Sequence, residues 1–255
     1  MKYNMGLKLW SINTDRYFHE AERLYNLKLI DYVELYVVPD TLETLQKWKT
    51  LEIPFIIHNA HFAHGFNLAK SSHFSRNLEI YQQSKQFADE LGAKYIIFHG
   101  GIDGSIQEVA RQLQEIQEPR ALIENKPFKA LPNRMGGEFC RGAVLEELKY
   151  LLSLTQCGFC LDFGHAVCSA NSQKKDPYSF ISELMDLSPS MFHLSDVSDM
   201  TSIYDAHPHL GTGSLDIARL KKMLPEGALV SIETNKDSKD NLFDFEKDIE
   251  CWKQL

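Results

Sequence analysis

The chain has 255 residues, 44% hydrophobic and 24% charged, enough to bury a large core as one α/β barrel or two modest domains. A net charge of −8 weighs against broad attraction to a polyanion, though not against a local basic patch. No apolar leader and no run near 18 apolar residues occurs, and five Cys without paired spacing fit a reducing compartment, so a cytoplasmic protein with no membrane partner is expected. No protein partner can be inferred from the composition.

Eight short apolar runs rich in Ile, Val, Leu, Phe and Tyr follow in order: residues 6–10, 32–38, 54–60, 94–100, 120–125, 158–163, 191–196 and 229–235. They read as buried parallel strands. Amphipathic segments lie between them at 14–26, 41–50, 73–92, 105–117, 142–155, 177–187, 214–224 and 240–253, with cap residues at Thr41 and Ser214. Eight strands alternating with eight helices predict a (β/α)8 TIM barrel, with residues 1–255 as a single domain. A doubly wound sheet would want a Gly-rich loop after the first strand, and SINTDRYF is not one. Cys157-Gly-Phe-Cys160 is a lone CxxC inside an apolar run and reads as core.

Active sites of such barrels lie at the C-terminal ends of the strands. Those ends carry His58, His99, Glu124, Asp162 with His165, His193 and Glu233, and the loop after the seventh strand adds Asp205 and His207 from DAHPHLGTGSLD. One polar residue ending a strand is usually a helix cap. Nine residues of only three types at one mouth are not explained that way, and their oxygen–imidazole mixture without thiolate suits zinc or manganese. In extended chain Asp205 and His207 would face one side and hold the same ion. Asp162 and His165, three apart across a strand end, would serve neighbouring ions.

Charge then discriminates among stoichiometries. Two carboxylates at ~5 Å and an effective dielectric of ~20 repel by roughly 3 kcal/mol. Four of them with one divalent ion keep a charge of about −2, tolerable for a neutral sugar, whereas three ions give about +2, which attracts a phosphate. One ion would use four ligands and orphan five, so three are favoured.

IIHNAHFAHGFNLA, YIIFHGG, LIEN, CLDFGHA, FHLSD, DAHPHLGTG and SIET, taken in order, resemble the motifs of the endonuclease IV family, zinc-dependent apurinic/apyrimidinic endonucleases of the xylose isomerase-like barrel superfamily. The resemblance implies one zinc on His58, His99 and Glu124, a second on Glu124, Asp162, His193 and Glu233, and a third on His165, Asp205 and His207. It implies phosphodiester hydrolysis by a metal-bound hydroxide, with Glu124 and Glu233 in the catalytic machinery and abasic DNA or a smaller phosphodiester as substrate. The sugar-isomerising relatives keep only the subset at 124, 162, 193 and 233. The alternative reading is therefore a sugar or sugar-phosphate isomerase or epimerase with a single Mn2+, Mg2+ or Zn2+. His209 receives no role from the resemblance.

Three departures bear on the substrate. The loop after His58 is longer than the family's, and Phe62 and Phe66 stand where a wedge into duplex DNA would be expected, or else roof a small pocket. The Gly-rich stretch after the motif Glu is replaced by NKPFKALPNRMGGEFCR (125–141), whose Lys126, Lys129, Arg134 and Arg141 against one acid make a local +3. That segment either covers the mouth and holds a phosphate or is a solvated loop. Glu34 on the second strand is a feature of the sugar-isomerase side, or a buried structural carboxylate.

Overall fold

The computed structural model describes residues 3–255. Eight parallel strands close into a barrel in chain order: β1 Asn4–Trp10, β2 Tyr32–Tyr36, β3 Phe55–His58, β4 Ile96–His99, β5 Ala121–Glu124, β6 Gly158–Asp162, β7 Met191–Leu194 and β8 Leu229–Ile232. Around it run α1 Arg16–Asn26, α2 Leu45–Trp48, α3 Phe74–Glu90, α4 Ile106–Ile116, α5 Leu145–Leu154, α6 Phe163–Ser172, α7 Pro177–Met185, α8 Ile217–Met223 and α9 Phe243–Gln254. Among the described residues no helix is long and apolar enough to cross a membrane.

The barrel is built in layers, because successive strand side chains point alternately in and out. Tyr32, Ile56, Ile97, Leu122, Cys160 and Met191 form a closed apolar layer inside it. Two residues further along the same strands stand Glu34, His58, His99, Glu124, Asp162 and His193, all buried to within 8% exposure. Each polar side chain of the mouth thus sits one pleat above an apolar one. Gly6 serves this packing: a Cβ there would run into the Tyr32 ring.

The helices differ from expectation in three places. The segment 41–50 forms a 3-10 turn, Leu42–Thr44, before the single turn of α2. There the Thr41 hydroxyl donates to the Val38 carbonyl instead of capping. The helix α8 is capped by Asp216, which accepts from the Arg219 amide at 2.9 Å, instead of by Ser214. The helix α6 has no counterpart among the predicted segments. Residues 163–170 are all buried, and a helix surrounded by core shows no amphipathic stripe for a sequence pattern to reveal.

Candidate metal centre

Asp162 ends β6 and caps α6, its Oδ1 accepting from the His165 amide at 2.7 Å. That cap places the His165 ring in the mouth and leaves Asp162 Oδ2 3.5 Å from His165 Nδ1. Asp162 and His165 therefore converge on one group with Glu124, besides the place His165 takes beside Asp205 and His207. Asn125 clamps the neighbouring strand ends by bonding both the amide and the carbonyl of Asp162, at 2.7 and 2.9 Å.

Glu124 is the hub. Its Oε2 lies 3.2 Å from His58 Nε2 and 3.0 Å from His99 Nε2, and its Oε1 lies 3.0 Å from His165 Nδ1. His58 Nδ1 donates to the Asn59 carbonyl at 2.8 Å, and His165 Nδ1 faces the Asn125 carbonyl at 3.0 Å. A carbonyl only accepts, so Nδ1 carries the hydrogen in both rings; this leaves Nε2 of His58 as the lone-pair nitrogen and makes Nε2 of His165 the one that would give up its proton to a metal. His193 meets Glu233 through Nδ1 at 2.7 Å and Glu34 through Nε2 at 2.9 Å, yet neither ring nitrogen finds a directed hydrogen bond. Glu34 thus places a buried carboxylate against the Nε2 side of His193, away from Glu233.

The Asp205/His207 pair converges by a different route from the expected extended strand. His207 is left-handed, with φ of 51°, a conformation that costs an L-residue roughly 1–2 kcal/mol. This turn brings His207 Nε2 to 2.6 Å from Asp205 Oδ2, which is also 3.3 Å from His165 Nε2. Asp196 holds the segment in place. Its two oxygens accept the amides of Val197, Gly211, Gly213 and Leu215 at 2.8–3.0 Å. A Cβ on Gly213 would strike Asp196 and the Val197 carbonyl, and Gly211 has φ of 78°. His209 bonds the buried Asp248 at 2.9 Å, and Asp248 also takes the Leu210 amide, pinning the loop to α9.

Two ammonium groups enter the mouth. Lys8 of β1 pairs with Glu233 and lies 3.3 Å from Glu34. Lys126 Nζ lies 3.1 Å from Glu124 Oε1 and 3.2 Å from His165 Nε2. Sequence reasoning missed Lys8, although the polar residue within GLKLW was its signal. Five carboxylates against two ammoniums leave a net −3, so the four-carboxylate count omitted Glu34 and both lysines.

Titration divides the imidazoles. Burial and Lys8 push His58 down, and at His99 burial outweighs Glu124 and holds it well below the ordinary value. At His165 burial opposes the charge but Asp162 overcomes it, to about 10. Burial likewise opposes charge on His193 and His207, and Glu233 with Glu34, and Asp205, respectively raise them. Burial works against Glu124, Asp205 and Glu233 as anions, yet facing imidazoles hold all three well below the carboxylate range. Asp162 is raised, by burial above all. Protons on histidines here stand among carboxylates where a cation would be favoured.

Three groups of donors that could hold an ion result: His58/His99/Glu124, Glu124/Asp162/His165 and His165/Asp205/His207. In a fourth, Glu34/His193/Glu233, Glu34 takes one side of the imidazole. The donor chemistry fits divalent ions, all oxygen and imidazole, with the buried His193 nitrogens and His207 Nδ1 lacking directed partners. Of the basic and aromatic candidates, Phe62, Lys126, Lys129 and Arg134 line the cavity above this floor. Phe66 is 1% exposed and packs on Phe98 in the core, and Arg141 pairs with Glu147 and the Asp103 and Gly104 carbonyls; neither lines the cavity.

Comparison with known proteins agrees with the architecture. The model of the xylose isomerase-like TIM barrel family matches residues 25–255. A Mycobacterium bovis protein named "Probable endonuclease 4" is 27% identical over 176 residues, 66% of this chain and 67% of its own. The crystal structure of endonuclease IV from Thermus thermophilus superposes with a TM-score of 0.72 at 19% identity, covering 99% of this chain and 100% of that one. That of a D-tagatose 3-epimerase-like protein does so at 0.71 and 19%, covering 98% and 96%. At such identity these two structures speak for the fold alone.

Proposed function

This chain belongs to the xylose isomerase-like TIM barrel family, and we propose that it is a zinc-dependent phosphoester hydrolase of the endonuclease IV type. The observation that carries this reading is the convergence of His165, Asp205 and His207 on one group beside the strand-borne carboxylates. A sugar isomerase needs no third group of donors there.

In this reading His58, His99 and Glu124 hold one ion, Glu124, Asp162, His193 and Glu233 a second, and His165, Asp205 and His207 a third. Bound divalent ions supply Lewis acidity and lower the pKa of a water. Glu124 and Glu233 fix the spacing of their neighbours, Glu233 being held in turn by Lys8 and His193. Lys126, its Nζ beside Glu124 at the edge of the cavity, would donate to a phosphoryl oxygen there. Three divalent ions against a net −3 give +3, a field that draws in a phosphoester. Five unpaired cysteines suit a reducing compartment, and we assign the protein to the cytoplasm.

A second reading, isomerisation with one ion, is favoured by one observation: the Lys8 and Lys126 ammonium groups stand beside Glu233 and Glu124, positioned to hydrogen-bond the oxygens of a sugar. The experiment that separates the two is His207→Ala. The hydrolase reading expects it to lose one metal per chain and phosphodiesterase activity by about 100-fold or more. Unchanged metal content and activity would refute the assignment.

A further inference from the structure

The segment 125–141 is a built roof. Ile102 pairs with Cys140 and Lys129 with Phe139 in antiparallel bridges. The Ala130 amide donates to the Glu138 carbonyl at 3.0 Å and the Cys140 amide to the Phe128 carbonyl at 3.1 Å. Asp103 Oδ1 takes the amides of Glu138 and Phe139, and Arg141 is tied down as described above. Its underside carries Ala130, Cys140 and Met135, packed with Ile102 and Phe62. An unanchored solvated loop would have neither the bridges nor the apolar underside.

Between this roof and the ligand floor lies a cavity of about 590 Å³, within the range of about 300–1,000 Å³ of small-molecule sites. Its roof is cationic, through Lys126, Lys129 and Arg134. On its wall stands Trp10, 46% exposed, whereas Trp48 and Trp252 are 0% and 3% exposed. An exposed indole at the mouth of a polar site offers a flat apolar face with nothing on the protein to cover it fully. Phe62, the one candidate wedge near the mouth, is stacked on His61 at 4.6 Å and packed against the roof. It is not presented for insertion between base pairs.

We propose that the substrate is a small phosphoester of nucleotide size, its phosphate between the floor and Lys126 and its planar group against Trp10, and not duplex DNA. This rests on the hydrolase reading above. Water is the only co-reactant: its oxygen bonds phosphorus, the P–O bond to the alcohol or phenol breaks, and the water's proton ends on the departing oxygen.

The test uses the full chain loaded with zinc and two substrates, thymidine 5′-(p-nitrophenyl phosphate) and an abasic duplex oligonucleotide. Expected is nitrophenol release without nicking of the duplex. Thymidine 5′-monophosphate quenches tryptophan emission in the wild type and not in Trp10→Leu, a readout independent of turnover. Trp10→Leu raises KM about tenfold with kcat nearly kept, the loss expected for one stacked ring. Duplex nicking as efficient as nitrophenol release overturns the substrate class and leaves the hydrolase reading standing. Nucleotide quenching undiminished in Trp10→Leu overturns the role of the indole. Hydrolysis of neither substrate overturns the hydrolase reading, and this inference with it.

Discussion

The strand-borne floor and the loop-borne side of the centre are held by different physics. His58, His99, Glu124, Asp162 and His193 project from the inward positions of a closed barrel, each above an apolar neighbour, so the hydrogen-bonded ladder fixes their spacing. Asp205 and His207 have no ladder. They depend on Asp196 gathering four amides, on His209 reaching Asp248, and on His207 keeping a left-handed backbone. A floor of this kind suits many chemistries, whereas the loop is a local construction that adds two further donors to it.

Damage to the loop's support should therefore be severe and local. Asp196→Ala leaves four amides without their acceptor, and at about 1–3 kcal/mol for each buried unpaired group it should cost at least about 3 kcal/mol in urea unfolding. A loss under about 1 kcal/mol would mean water replaces the carboxylate readily. On the floor, Glu34→Gln removes the charge behind His193. Metal affinity should fall about 10–100-fold, as for other outer partners of ligating imidazoles, with the far-ultraviolet spectrum unchanged. Zinc competition with a chromophoric chelator measures it.

The titration asymmetry gives a pH test. His165, raised to about 10, is protonated at neutral pH in the metal-free chain, and His193 and His207 are raised with it above the ordinary value. Metal must displace that proton, so zinc affinity should rise with pH from about 6 to about 8. Stability of the metal-free chain runs the other way. A His with a raised folded pKa contributes stability that is complete below its unfolded value of about 6.5 and is lost as pH climbs through about 10. Opposite slopes for metal-free and zinc-loaded unfolding are expected; parallel slopes would sink this account of the imidazoles. Smallest of all, His209→Ala should cost about 1 kcal/mol, one hydrogen bond's worth, and leave metal content untouched, because Asp248 still takes the Leu210 amide and Asp196 still gathers its four amides.

Much of this was legible in the sequence for a physical reason. Parallel strands buried on both faces are short apolar runs, and the Asp, Glu and His residues that converge at the mouth end those runs, so the barrel and that convergence could be read from pattern alone. The supports of the loop could not. Asp196 looks like one more acid after a strand, and its four acceptor contacts come from residues up to 19 positions away. Lys8 hides in an apolar run and declares itself only by facing Glu34 across the register. The pattern of 125–141 left roof and solvated loop equally open, because one bridge that fixes it reaches back to Ile102 and the other closes within it, between Lys129 and Phe139.

Floor and loop together are proposed to form a three-ion centre. The most direct test is elemental analysis of the protein purified without chelator or added metal. Close to three zincs per chain is the predicted result. A single ion per chain, manganese above all, would contradict it, and would return His58, His99, His165, Asp205 and His207 to substrate binding in an isomerase.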